Sequence, residues 1–232
     1  GDVQNAYNAG STIGSYLAAL GFNVDFAPVA DVLTNPDNQV LGQRSFGSDA
    51  QTVAGMVTSE LQGLSAAGVY GMVKHFPGHG GTSGDSHDGA VSTDKTLEEL
   101  MAEELVPFQS AIDGGVNFVM VGHISAPNVT GDNAPATLSK VLITDVLRGQ
   151  MGYNGIVITD AMNMEAITGF YNSDKAAVLA VTAGADMILM PADYNTAYTG
   201  ILNAVNDGTI TEERINESVT RIVKAKLAMG QP

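Results

Sequence analysis

The sequence predicts an α/β fold in which parallel strands alternate with helices, arranged as a barrel or as an open sheet. Five short runs are almost continuously apolar and rich in β-branched residues, which is typical of strands buried on both faces of a parallel sheet. A segment with helical spacing of apolar residues follows each run, so successive strands are joined by right-handed βα units. The five runs are residues 23–32, 69–76, 116–124, 155–162 and 185–191.

The helices are predicted in chain order from apolar spacing and end signals. One helix at residues 3–20 precedes the first strand, and another begins near Ser48. A third begins near Asp94 or Thr96, because Thr96 and Glu99 have the spacing of a capping box, and Pro107 should kink or end it. Further helices are predicted at about 137–150, 175–183 and 211–229. In the last helix we expect five side chains to face inward: Ile215, Val219, Ile222, Val223 and Leu227.

The composition excludes several classes of function. The chain has 232 residues and a net charge of −15 at pH 7, so it lacks the basic surface that binds nucleic acid or an anionic membrane. It contains no run of 18 or more apolar residues, and we therefore expect no membrane span. The absence of cysteine excludes disulfides and thiolate metal sites.

Polar side chains interrupt the apolar runs where four of the strands end, namely Asp31, Lys74 with His75, His123 and Asp160. Because the carboxyl ends of parallel strands converge on one face, we expect these side chains to lie together. Asp160 is a candidate nucleophile or metal ligand, and the alternative is an N-cap for the following helix. Lys74 should reach a substrate oxygen or a carboxylate, or form a structural ion pair with Asp160 or Asp31.

The longest irregular stretch, residues 78–93, is glycine-rich and directly follows the second strand, where α/β folds place function. Asp85 lies two residues before His87, close enough to fix the tautomer of an acid/base histidine. The alternative is an exposed loop without a role. The guanidinium of Arg44 suits hydroxyls, an amide oxygen or a carboxylate, unless it is a surface arginine.

A metal or nucleotide site is disfavoured. The chain has four histidines without ligand-like spacing, although His75, His79 and His123 are the candidates for a metal-dependent hydrolase. His79 and His123 are better explained as hydrogen-bonding residues of a pocket floor. No Walker lysine follows the glycines, and no GxGxxG opens a helix. We predict no cofactor.

Residues 74–80 (KHFPGHG), with Thr82 and residues 85–87 (DSH), resemble the signature of the glycoside hydrolase family 3 β-N-acetylglucosaminidases. The resemblance implies a (β/α)8 TIM-type barrel and a retaining, two-step mechanism. Asp160 falls on the nucleophile position, and His87 falls on the acid/base position, paired with Asp85. The predicted substrate-binding residues are Lys74, His75, Arg44, Asp31, His123 and Met162.

The resemblance implies substrates that carry terminal β-linked N-acetylglucosamine, such as cell-wall muropeptide sugars or chitin oligosaccharides. One alternative is phosphorolysis, because a histidine acid/base carries no negative charge to repel phosphate. A β-glucosidase of the same family is a second, but those enzymes take their acid/base glutamate from a separate C-terminal domain. A third is a non-catalytic sugar-binding fragment of the fold.

The family pattern begins with three further strands that do not precede Val3 here. Five βα units cannot close an eight-stranded barrel. We therefore expect residues 1–232 to be the C-terminal part of a single catalytic barrel domain, with the N-terminal strands cleaved, absent or on another chain. The isolated piece should be poorly stable and inactive. The low lysine content and the polar loops favour an exported bacterial protein over a cytoplasmic one, without fixing the compartment.

Overall fold

A computed structural model describes residues 1–82 and 89–230 of the chain. These residues belong to two compact units. Unit 1 comprises Gly1–Ser83 and Lys95–Met120, and unit 2 comprises Gly84–Asp94 and Val121–Pro232. Across the described part of the chain, no helix is both long and apolar enough to cross a bilayer.

Strands and helices alternate largely in the predicted order. The strands are β1 (Val24–Asp25), β2 (Tyr70–Phe76), β3 (Val91–Ser92), β4 (Phe118–Val121), β5 (Ile124–Ser125) and β6 (Ile156–Thr159). The helices are α1 (Val3–Ala19), α2 (Ala50–Ala66), α3 (Leu97–Ala102), α4 (Val106–Asp113), α5 (Pro127–Thr130), α6 (Glu165–Thr168), α7 (Ser173–Ala183), α8 (Tyr194–Asn206) and α9 (Glu212–Ala228).

In unit 1, β1 pairs with β2 in parallel, and β4 lies on the other side of β2. The helix α2 packs against α1 and α4, and the rings of Phe76 and Phe108 meet edge to face in the core beneath β2. The capping box predicted for Thr96 and Glu99 is confirmed at the start of α3. The prediction that Pro107 kinks or ends this helix was wrong. The helix α3 already ends at Ala102, and Pro107 lies in the first turn of α4. Backbone N–H groups in a first turn have no helical partner, so proline is tolerated there.

All the strands are shorter than their apolar runs, and in two of the runs regular pairing is almost lost. In the run at residues 23–32, regular pairing stops after Asp25 and resumes only as a bridge between Val29 and Lys74. Pro28 has no N–H to donate, so it cannot continue the ladder. In the run at residues 185–191, pairing is limited to a parallel bridge between Ile158 and Met187.

In unit 2, β3 and β5 form a parallel pair, and the N–H of Asp160 donates to the carbonyl of Val121, the last residue of β4, at 2.8 Å. The helix predicted at residues 137–150 is a 3₁₀ turn over Ala136–Leu138 followed by a π-helix over Val141–Gln150. Apolar spacing cannot distinguish these from an α-helix.

The prediction that the apolar face of α9 points inward was wrong for three of its residues. Val219, Val223 and Leu227 are exposed, Leu227 to 65%. Helical spacing shows that apolar residues share a face, but whether another element covers that face depends on tertiary packing. Within the described residues, Ser218 is the buried residue of α9.

Ser218 belongs to a buried ionic cluster around Asp186, whose side chain is fully inaccessible. Its carboxylate accepts hydrogen bonds from the guanidiniums of Arg148 at 2.6 Å and Arg221 at 3.1 Å, and Arg214 lies 3.6 Å away. The Ser218 hydroxyl donates to the same carboxylate at 2.6 Å. This cluster links α9 to the start of the last predicted strand.

Candidate active site

Asp31 organises the site residues of unit 1. Its side chain is completely buried, and its carboxylate accepts the Nδ1–H of His75 at 2.8 Å. The backbone N–H groups of His75 and His79 donate to the same carboxylate at 3.2 and 2.7 Å. Because Nδ1 of His75 is engaged by a carboxylate, the Nε2 atom is the ring nitrogen left to meet a substrate.

The pKa of Asp31 is lowered despite its burial. Burial alone would raise the pKa, because it removes water from the charged form. The charge and hydrogen bond of His75 and the backbone N–H of His79 oppose this effect and outweigh it. The carboxylate is therefore a fixed negative centre that orients two of the predicted site histidines.

The loop after β2 is held by side chains from the segment after Asp31. The Asn38 amide donates to the carbonyls of His79 at 2.8 Å and Thr82 at 3.1 Å. The Thr82 hydroxyl lies 2.7 Å from Nδ1 of His79. At Gly80 the backbone packs so closely that an added Cβ would lie 1.7 Å from the carbonyl oxygen of Val32. Glycine at position 80 is thus required by the close approach of two backbones.

Glu104 supports the same loop and was missed by the sequence analysis. Its carboxyl group is buried, and Oε1 accepts hydrogen bonds from Thr34 at 3.0 Å and Lys95 at 2.5 Å. An added Cβ at Gly81 would lie 3.2 Å from that oxygen. The available signal was a glutamate next to the apolar segment Leu105–Phe108, since acidic residues are seldom buried without partners.

Arg44 and Lys74 occupy different surroundings within unit 1. Arg44 is exposed and ends a short 3₁₀ turn, next to Ser45, whose hydroxyl donates to the backbone carbonyl of Asp31 at 2.8 Å. Lys74 is half-buried in β2, and its charge opposes the burial that raises the pKa of Asp25. The roles predicted for both in sugar binding stay predictions.

In unit 2, Asp160 directly follows β6 and is only half-buried. Its Oδ1 accepts the N–H of Ala161 at 2.7 Å, and within the described residues Oδ2 accepts no hydrogen bond. Nε2 of His123 donates to the carbonyl of Ala161 at 2.9 Å, and its Nδ1 lies 2.8 Å from the hydroxyl of Thr137. The buried His123 thereby fixes the turn that presents the Asp160 carboxylate.

The structure thus brings predicted residues together in each unit, and it leaves others untested. Met162 is buried, and its N–H donates to Leu189. Asp85 and His87, the predicted acid/base pair, lie outside the described residues. Among the described residues, no group of three or more His, Asp or Glu side chains has the geometry of a metal site. His75, His79 and His123 use ring nitrogens in the protein hydrogen bonds given above.

Comparison with known proteins decides the family. Residues 1–225 match the model of the glycosyl hydrolase family 3 N-terminal domain. The chain belongs to this family. The predicted resemblance is confirmed, as is the predicted fold class, an α/β fold of the (β/α)8 barrel type.

The chain is similar along almost its whole length to proteins of known structure. It aligns with a family 3 β-N-acetylglucosaminidase from Paenibacillus sp. FPU-7 at 45% identity and a TM-score of 0.97, covering 99% of this chain and 44% of that chain. It also aligns with the β-glucoside phosphorylase BglX at 29% identity and a TM-score of 0.95, covering 99% and 43%.

Among curated relatives, the β-hexosaminidase LpqI of Mycobacterium tuberculosis is 37% identical over 232 residues, which cover 97% of this chain and 59% of LpqI. The β-hexosaminidase A of Pseudoalteromonas piscicida is 34% identical over 251 residues, which cover 42% of that protein. The chain therefore spans about half the length of these relatives.

Proposed function

We propose that this family 3 chain contributes the nucleophile, Asp160, to a retaining glycosidase that removes terminal β-linked N-acetylglucosamine from oligosaccharides. The observation that carries the proposal is Asp160, a half-buried carboxylate at a strand end with one oxygen unengaged by the described residues. The names of the relatives support the substrate, because several are β-hexosaminidases or β-N-acetylglucosaminidases. The activity is proposed for the full gene product, since the chain spans about half of these relatives.

The reaction proceeds in two displacements. Oδ2 of Asp160 attacks the anomeric carbon of the sugar while the bond to the leaving-group oxygen breaks, and His87 donates a proton to that oxygen. A covalent glycosyl-enzyme results. His87 then accepts a proton from water, the water oxygen attacks the anomeric carbon, and the Asp160 carboxylate is released. Two inversions leave the product with the β configuration of the substrate.

The residues of unit 1 are assigned to holding the sugar. His75 is oriented through Nδ1 by a buried carboxylate, so its Nε2 can meet a sugar hydroxyl without the entropy loss of ordering a free side chain. Arg44 offers exposed donors and is followed by Ser45, whose hydroxyl donates to the backbone carbonyl of Asp31. Asp85 is assigned to orienting His87, and Met162 to the wall of the sugar pocket.

Replacing the nucleophile tests the proposal. We expect Asp160→Ala in the full gene product to lower kcat on 4-nitrophenyl β-N-acetylglucosaminide by about 10³-fold or more, because the covalent step is lost. Asp145→Ala, which removes an exposed carboxylate of the same unit, is the matched control and should keep the wild-type rate. NMR should detect β-N-acetylglucosamine as the first product. Equal rates for wild type and Asp160→Ala would reject Asp160 as the nucleophile, and with it the proposal that this site cleaves the substrate.

Phosphorolysis is the second candidate, because a chain described as a β-glucoside phosphorylase aligns with almost the whole of this chain. Phosphate would replace water in the second displacement, and the product would be an N-acetylglucosamine 1-phosphate. ³¹P NMR of reactions with and without inorganic phosphate separates the two. We expect free N-acetylglucosamine in both; a phosphate-dependent rate with a sugar phosphate as the main product would favour the phosphorylase.

A further inference from the structure

Glu104 packs against the loop that follows β2. A Cβ atom added at Gly78 would lie 2.7 Å from Cβ and 2.8 Å from Cγ of Glu104, and one added at Gly81 would lie 3.2 Å from its Oε1. The two glycines therefore allow the loop backbone to lie directly on the Glu104 side chain. His79 and Gly80 stand between these two contacts in the chain, so Glu104 limits the positions that His79 can take.

Two donors from other segments hold the Glu104 carboxylate in place. Its Oε1 accepts hydrogen bonds from Thr34, in the segment after Asp31, and from Lys95, just before α3. The Lys95 ammonium also binds Glu103 at 2.7 Å, but the Glu103 side chain is 43% exposed, whereas that of Glu104 is 1% exposed. Lys95 thus pairs with one carboxylate that packs against the loop and with another that is open to water.

The second carboxylate oxygen of Glu104 is unpaired within the described residues. There, Oε2 is the buried side-chain oxygen that accepts no hydrogen bond. Leaving a buried carboxylate oxygen unpaired is unfavourable, and an apolar side chain of similar volume would fill the same space at a lower cost in free energy. A group of this kind calls for an explanation beyond packing. The cost indicates that the charge of Glu104 has a role that its volume alone would not serve.

The loop connects Glu104 to residues assigned to holding the sugar. The backbone N–H of His79 donates to Asp31 at 2.7 Å, and the same carboxylate accepts the Nδ1–H of His75 at 2.8 Å. The Thr82 hydroxyl lies 2.7 Å from Nδ1 of His79. A continuous series of contacts thus runs from Glu104 through the loop to the His75 ring. Because a displacement of about 1 Å can lower a rate by about 10²-fold, a loop that is held less firmly should slow the reaction.

We propose that Glu104 is a positioning residue of the enzyme. Its carboxylate fixes the loop after β2, and through the loop it sets the position of His79 and, by way of Asp31, of the His75 ring. The charge is required as well as the shape, because it holds Lys95 and Thr34 beside the loop. The inference rests on the proposed glycosidase activity.

The first test is kinetic and uses the full gene product with 4-nitrophenyl β-N-acetylglucosaminide. We expect Glu104→Gln to lower kcat/KM by about ten-fold, with most of the fall in kcat, because alignment matters most in the transition state. Glu103→Gln, the matched control, removes the exposed partner of the same lysine and should keep the wild-type kcat. An unchanged kcat for Glu104→Gln, or an equal fall in both variants, would overturn the assignment.

Variants of the two donors keep the test decisive if Glu104→Gln does not fold. Lys95→Met should lower kcat about as much as Glu104→Gln, whereas Lys95→Arg keeps a cation and should recover at least about half of the wild-type rate. Thr34→Val removes one donor at a half-buried position and should lower kcat by about three-fold. Thermal unfolding identifies the folded variants. Wild-type kcat in folded Lys95→Met and Thr34→Val would overturn the proposal.

The last test does not depend on activity. Long-range ¹H–¹⁵N NMR spectra report the ring nitrogens of histidines, and the spectrum of His79→Asn identifies the signals of His79. We expect Glu104→Gln to shift the Nδ1 signal of His79 and Glu103→Gln to leave it in place, because the loop that carries His79 packs against Glu104. An unshifted signal in folded Glu104→Gln would overturn the positioning role. If the wild type does not cleave the substrate, the proposed function fails, and this comparison still decides whether Glu104 sets the position of His79.

Discussion

Asp31 in unit 1 and Asp186 in unit 2 are both buried carboxylates, and the pKa of each is lowered, but their neighbours differ. In both, burial alone would raise the pKa. At Asp31, a histidine and backbone N–H groups outweigh that effect; at Asp186, the charges of Arg148 and Arg221, the Ser218 hydroxyl and a backbone N–H do so.

The difference in neighbours distinguishes a reactive site, at Asp31, from a structural ion cluster, at Asp186. A guanidinium remains charged at all physiological pH values, so the cluster around Asp186 stays ionic and serves to hold the structure together. An imidazole can change its protonation, and it still offers its second nitrogen to a ligand when the first is bound to a carboxylate. His75 can therefore hold Asp31 and still react with a ligand. Buried carboxylates alone do not mark an active site; the chemistry of their partners does.

The strongest way to break the structural ion cluster is Asp186→Ala. Removing the carboxylate leaves Arg148, Arg214 and Arg221 close together without their shared counter-ion, and we expect the free energy of unfolding to fall by about 3–5 kcal/mol. Urea denaturation measures the change. Asp145→Ala, on an exposed position, should change the free energy by less than about 0.5 kcal/mol. A loss no larger than in this control would show that the three arginines find water or other partners.

Asp31→Ala should have the next largest effect, about 3 kcal/mol, because three donors from His75 and His79 lose their acceptor. Since the folded pKa of Asp31 is below its unfolded value, its contribution is present at neutral pH and is lost as the pH falls through the lowered pKa. The variant should therefore lose less stability than the wild type between pH 7 and pH 3 in urea titrations. Asp37→Ala, an exposed neighbour, is the control, and parallel pH profiles would contradict the prediction.

Glu60 gives a contrast to both aspartates. It is a buried acid whose pKa is raised, and no cation among the described residues opposes that rise. Burial, and then the charge of Asp25, raises the pKa of Glu60 to about 7. The folded protein thus holds this proton more tightly, so the stability due to Glu60 is present at low pH and is lost as the pH rises through about 7. We expect Glu60→Gln to be more stable than the wild type by about 2 kcal/mol at pH 8.5 and nearly equal at pH 4.5. Equal stability at both pH values would contradict the raised pKa.

Local features were the most predictable from sequence. The capping box of Thr96 and Glu99 spans three residues and needs no tertiary information, and it was found where expected. The place of Asp160 at the end of a buried strand was likewise predictable from the apolar run before it. In both cases the predictive signal lies in neighbouring residues of the chain.

Long-range partners could not be derived in the same way. Asp31 meets residues 44 and 48 positions away, and Asp186 meets Ser218 at a separation of 32. Only the convergence of strand ends suggested that Asp31 and His75 are neighbours, and nothing in the spacing indicated Glu104 or the arginine cluster. The π-helix over Val141–Gln150 has the same apolar pattern as an ordinary helix, so its hydrogen bonding was invisible to periodicity.

The contact at Gly80 has a consequence for altering this protein by mutation. The loop after β2 would be a natural target for randomisation, since it adjoins the predicted acid/base residues. A library that varies position 80 would consist largely of misfolded members, because even alanine would place an atom inside the van der Waals radius of the Val32 carbonyl. Diversity has to be sought at exposed positions such as Asn133 and Phe170, whose side chains can change without displacing the backbone.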